Sequence, residues 1–205
     1  MFDATSSTDA VDPEAQRILD FWFAPHNHEY WFSSTTAFDT ECRDLSASLL
    51  DRALAGDLDG WAAAPPGALA LVILLDQMPR NVFRGSARAF AFDEKARAVS
   101  RAAISAGMDM ALEKDRRAFL YLPFEHSEAL EDQRFSVELF TALGDATKLE
   151  YAVHHFEIVE RFGRFPHRNA ALGRQSTPEE LEYLAADDAA GFQKSQMPAQ
   201  DAPGP

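Results

Sequence analysis

Apolar residues recur along this chain three and four positions apart, the spacing of one helix face, with no sustained alternation of apolar and polar positions. The first predicted helix has a complete start signal. Asp12 is placed to cap free N–H groups, Pro13 fits the first turn, and Glu14 suits the positive end. Ile18, Leu19, Trp22 and Phe23 form its apolar face, and Pro25 stops it. A loop carrying Tyr30-Trp31-Phe32 leads to a second helix over about 35–55, with the stripe Phe38, Cys42, Leu45, Leu49 and Ala53 and a closing Gly56. Trp61 and Pro65-Pro66 belong to a turn. Ala68 to Leu75 is apolar on every side, and its good helix formers favour a buried helix over a strand. Asp93 is expected to cap the next helix, faced by Ala96, Val99, Ala103 and Ile104. A further helix over about 116–130 contains Pro123 and is expected to bend or break near Phe119–Leu122. Two more stripes, Phe135 to Leu143 and Leu149 to Phe162, end at Gly144 and Gly163. Thr177-Pro178-Glu179-Glu180 reads as a capping box opening the last helix.

About eight helices with short connections predict an all-α fold of antiparallel helix pairs, in one domain over 12–187. The small polar stretches at 1–11 and 188–205 are expected to be disordered tails. Charge sharpens the picture. The formal net charge is −14, of which residues 1–13 contribute −3 and residues 177–205 contribute −5, leaving −6 for the middle. An acidic chain of pI near 4.7 is a poor nucleic-acid binder, because phosphate must be neutralised by Lys and Arg. The single Cys42 excludes an internal disulfide and a multi-cysteine metal site. The opening residues lack a basic segment followed by an apolar run, and the longest apolar block has only eight residues. No membrane partner and a cytoplasmic location are therefore expected.

Against this acidity, two stretches stand out. Arg161 to Arg174 holds four arginines, His167 and no acid; Gln77 to Arg88 holds three arginines and no acid. Both contain Arg-Asn followed four residues later by Gly, as Arg80-Asn81 with Gly85 and Arg168-Asn169 with Gly173, 88 residues apart. Several guanidinium forks directed at one spot make a site for carboxylate or phosphate. The alternative is that Arg80, Arg164 and Arg168 pair with Asp76, Glu125 or Glu128 and tie loops to helices.

Longer motifs surround these loops. Leu75-Asp76-Gln77-Met78-Pro79-Arg80-Asn81, Pro123-Phe124-Glu125-His126-Ser127-Glu128 and Phe162-Gly163-Arg164-Phe165-Pro166-His167-Arg168-Asn169 resemble the bacterial family named "domain of unknown function 924". With Asp20-Phe21-Trp22-Phe23 and Ser176-Thr177-Pro178-Glu179-Glu180, the likeness extends over roughly residues 15 to 185. Met78 departs from the Phe usual there, and its flexible apolar side chain is expected to fill the same space. The resemblance implies an all-helical, tetratricopeptide-like array of helical hairpins. It brings no established activity.

The reading that follows is a helical protein with an Arg-lined polar pocket for a small anionic ligand. Arg80, Arg84, Arg164 and Arg168 supply charge, Gln77, Asn81 and Asn169 orient the ligand, His167 joins the binding residues, and Trp31, with His126 and His155, helps wall the pocket. One alternative is a tetratricopeptide-like module gripping an acidic peptide or C-terminus. Another is a hydrolase or isomerase using Glu125, His126 and His155 for acid–base chemistry. His155 also lies on the core-facing side of its helix, where a structural role is equally natural. No cofactor is implied, and the histidine spacing matches no standard metal motif.

Overall fold

The structure, a computed structural model, describes residues 11–33 and 35–186. The expected tails therefore lie outside the described residues, Val11 excepted. Every regular element described is helical. Helix α1 (Pro13–Trp22) begins as the sequence predicts, with the Asp12 carboxylate accepting from the Glu14 N–H at 2.8 Å. A 3-10 turn over Pro25–Tyr30 follows, then α2 (Thr36–Ala55), capped by Thr35 and closed by Gly56 at φ 93°. Phe38, Cys42, Leu49 and Ala53 of its stripe are buried, joined by Ser46 and Leu50, whereas Leu45 is only half-buried.

Helix α3 (Pro65–Val72) occupies the middle of the molecule. Ala68 to Leu75 has no exposed residue, and α3 packs on α1, α5 and α6. Gly67 is the point of closest approach: an added Cβ would collide with the Trp61 carbonyl of the preceding 3-10 turn. The helical path does not end at Pro79. It passes through a π-turn over Ile73–Gln77, in which the Met78 N–H reaches back five residues to Ile73, and continues as α4 (Met78–Val82). Pro79 sits in the first turn of α4, where a missing N–H is tolerated.

Helix α5 (Asp93–Ser105) corrects one expectation. Its N-cap is Phe92, no described side chain caps it, and the Asp93 carboxylate is turned to Arg80 instead. Helix α6 (Lys114–Glu125) starts and ends earlier than predicted. It tolerates Pro123 because the proline falls in the last turn and the ladder closes beyond it, from the His126 N–H to the Leu122 carbonyl at 2.9 Å. Helices α7 (Leu130–Leu143) and α8 (Ala146–Phe162) follow through links of four and two residues, so α6, α7 and α8 pack as antiparallel neighbours. The chain then makes a 3-10 turn at Pro166–Arg168 and finishes with α9 (Pro178–Ala185), whose Thr177–Glu180 capping box is formed in full.

Nine helical segments among the described residues, eight of them eight residues or longer, make the fold all-α. The central α3 packs chiefly on helices distant in sequence, and among the described helices sequence neighbours pack on one another from α5 to α8. No helix among the described residues is long and apolar enough to cross a membrane. The main apolar core runs through α1 to α7, with Ala152 of α8. A smaller cluster of Ile158, Val159 and Phe165, backed by Leu130, Phe162 and Tyr183, anchors the C-terminal segment. A belt of buried polar side chains links the elements carrying these two clusters.

Candidate functional site

The belt is built around Asp76, which the π-turn turns inward and buries completely. Burying a carboxylate demands partners, and Asp76 has three. His126 Nδ1 lies 2.9 Å from both of its oxygens, Gln77 Nε2 donates at 2.6 Å, and Arg80 Nη1 stands at 3.3 Å. Arg80 also donates to the Asp76 carbonyl and forms two parallel bonds of 3.0 Å with Asp93 at the start of α5. From the far loop, Arg168 reaches the same Asp93 at 3.6 Å and donates to the His126 carbonyl at 2.9 Å. Its guanidinium lies between the rings of Phe90 and Phe165, 4.6 Å from each centroid. The two acid-free stretches of the sequence thus meet at Asp93.

A second histidine–carboxyl pair lies beside the first. His155 Nδ1 is 3.2 Å from Glu125 Oε1 and 2.8 Å from the Tyr151 carbonyl, and the His126 and His155 rings are 6.2 Å apart. A carbonyl only accepts, so His155 carries its proton on Nδ1 and its lone pair on Nε2; the Asp76 carboxylate imposes the same tautomer on His126. The two carboxyls are driven apart. Burial raises Glu125 to about 8, and the nearby Asp76 charge adds to this. Burial would raise Asp76 too, but the Arg80 charge and then His126 hold it well below the usual carboxylate range. Burial lowers both histidines, His155 furthest, and outweighs the pull of Asp76 on His126. Arg168 falls to about 10, again through burial, which its partial contact with Asp93 does not offset. Near neutral pH the centre therefore holds an ionised Asp76, a protonated Glu125 and two neutral imidazoles.

The other predicted residues are distributed around this centre. Asn81 donates to the Gln77 carbonyl at 3.4 Å and accepts from Arg84 at 3.1 Å, while Arg84 pairs with Asp39 of α2 at 3.2 Å. Arg164 binds Glu180 of α9 at 2.6 Å, and Asn169 donates to Ser176 and Glu180. His167 is buried with its ring 5.6 Å from Phe165. Trp31 donates to the Trp22 carbonyl at 2.8 Å and packs edge-on against Phe23 and Phe119, at the α1 end of the core. Arg80, Arg168, Glu125, His126 and His155 are therefore together; Arg84, Arg164, Asn169 and Trp31 have their contacts elsewhere. Sequence reasoning gave Asp93 a capping role and missed it as the shared counter-ion. The signal was its position: the first acid after an arginine stretch with none.

A narrow depression, too tight for a water molecule, is lined by Arg80, Arg84, Gly85, Ala89 and Phe90. No group of three or more His, Cys, Asp or Glu among the described residues is arranged to hold a metal ion.

Fold and centre together define an all-helical protein with a buried polar core of two arginines, two histidines, three acids and Gln77, drawn from distant segments. The chain belongs to the family described as bacterial protein of unknown function (DUF924), whose model matches residues 18–188. It is similar to the solved structure of ATU0120, a protein of unknown function from Agrobacterium tumefaciens. The identity is 43%, covering 83% of this chain and 96% of that one, with a TM-score of 0.80. No curated protein matches the chain.

Proposed function

We propose that the protein binds a small anionic compound, a carboxylate or phosphate, at the corner where Arg80 and Arg168 meet. The observation that carries this is the state of Arg168. It is buried, its nearest carboxylate oxygen is 3.6 Å away, and its Nε has no hydrogen-bond partner among the described residues. A guanidinium so placed is a strong, geometrically specific donor for an oxyanion, and low surrounding polarity strengthens the contact. Arg84 and Arg164 are engaged with Asp39 and Glu180, so the reading rests on the other two arginines. Capture of an acidic peptide has no comparable support: the surface groove of about 380 Å³ between α1 and α2 is lined by Asp20, Glu41 and Asp44 against Arg17 alone, which repels anions.

The test is thermal unfolding of the full chain with inorganic phosphate or acetate. A ligand at a hundred times its Kd stabilises by about 2.7 kcal/mol. For a chain of this size that is a rise in Tm of about 5–10 °C. The rise should vanish in Arg168→Gln provided circular dichroism shows the variant folded. An equal response in the variant excludes Arg168 as the anion donor.

One further observation favours acid–base chemistry at the same centre. Two carboxyls close to two imidazoles have opposite protonation states, which is how active sites separate acid from base. In that reading His126, oriented by Asp76, is the base, and Glu125, held beside His155, supplies a proton, as a hydrolase or isomerase requires. A screen of small carboxylate and phosphate esters and isomerisable acids should give a turnover that falls at least a hundredfold in His126→Gln. Turnover unchanged in that variant removes His126 from the chemistry.

A further inference from the structure

The start of α5 is unusual in three independent ways. No described side chain caps it, its first residue carries the carboxylate that two arginines approach, and those contacts are unequal. Asp93 meets Arg80 through two bonds of 3.0 Å but stands 3.6 Å from Arg168, beyond hydrogen-bond distance. Around Arg168 stand the His126 carbonyl and the faces of Phe90 and Phe165, while Arg80, Glu128 and Asp76 act on it by charge without a hydrogen bond.

We infer that Asp93 is a resident stand-in for the ligand's own oxyanion. The ligand binds by taking Arg168 and the uncapped N-terminal turn of α5, while Asp93 stays with Arg80. This rests on the anion reading above and deepens it by naming the competing group and the place of the bound anion. Three features fit together here. The uncapped amides at a helix start and its dipole favour an anion. Arg168 has donors to spare, its Nε included. Phe90, half-buried on the 3-10 turn Ala87–Phe90, borders the depression through which an anion would arrive, and its ring must shift to admit one. The Asp93 charge, close to the incoming anion, opposes it directly. Compounds with one compact oxyanion are selected, since Phe90 and Phe165 leave Arg168 accessible only at its edge.

The deciding variant is Asp93→Asn, which keeps the size of the side chain and an acceptor for Arg80 while removing the charge. Titration calorimetry with inorganic phosphate, and separately with acetate, should show Kd at least tenfold lower than for the unaltered chain. The gain should be lost when Arg168→Gln is added. An unchanged or weaker Kd in a folded Asp93→Asn protein overturns the inference while leaving the anion reading intact. If neither protein binds phosphate or acetate, the anion reading falls and this falls with it. Should Asp93→Asn fail to fold, crystals of the unaltered protein soaked in phosphate decide the matter. Phosphate within hydrogen-bond distance of Arg168 and the α5 amides supports the inference; phosphate bound elsewhere overturns it.

Discussion

Replacing Asp76 by alanine is expected to remove about 3–5 kcal/mol of stability, the cost of leaving a buried charge without its partner. Asp76 is fully buried and joined to Arg80, His126 and Gln77, so its loss strips the charge balance and three polar contacts at once. Asp93 remains, but it would then stand alone against Arg80 and Arg168 in a region closed to water. A fall in Tm on the order of 10 °C or more follows for a chain of this length. Asp76→Asn keeps the volume and one acceptor for His126, and should lie between the two. Urea unfolding of the three proteins checks this directly. An alanine variant within 1 kcal/mol of the parent would mean that charge does not hold this centre together.

The second large effect is a dependence of stability on pH that one substitution abolishes. The Glu125 carboxyl, at about 8 in the fold, lies far above its ordinary 4.5. Between these values the unfolded chain has released this proton and the folded chain has kept it. Stability therefore falls as pH rises through the window, at about 1.4 kcal/mol per pH unit. His126 and His155 act in the opposite sense. Their folded values lie below 6.5, so the stability they contribute is present above 6.5 and is lost as pH falls. From pH 6.5 to 8 Glu125 is thus the one member of this trio still acting. Glu125→Gln, a neutral group of nearly the same shape, should match the parent near pH 5 and exceed it by a few kcal/mol at pH 8.5. Unfolding curves at a series of pH values test this; parallel profiles for the two proteins would show that Glu125 is ionised throughout.

The helices were legible because their signals are local. Asp12-Pro13-Glu14, the stripe from Phe38 to Ala53 and the Thr177–Glu180 box each act within a turn or two, and each is found as read but for the half-buried Leu45. Ala68 to Leu75 was legible by a different route, since a segment apolar on all sides has nowhere to go but the interior. What the sequence hid are decisions made between distant segments. Asp93 satisfies the local rule for a cap, yet the charge of Arg80 competes for the same carboxylate and wins by two bonds. Arg164 belongs to the same stretch as Arg168, but Glu180 of α9 draws it aside. Trp31 looked like a pocket wall, and the aromatic packing around Phe119 claims it. Composition showed that acid-free loops exist in an acidic chain; only the tertiary path shows which of their arginines share a neighbour.

The π-turn at Ile73–Gln77 has a consequence for how this helix can vary. Such a turn accommodates one extra residue, so the segment after it is swung about 100° around the axis relative to an uninterrupted helix. Asp76 lies inside that turn and Arg80 four residues on, so the two share one face directed into the centre. Shortening the segment by a single amino acid would leave every side chain chemically present and rotate the arginine out of the ensemble, so length at this point is as much a determinant of the centre as identity.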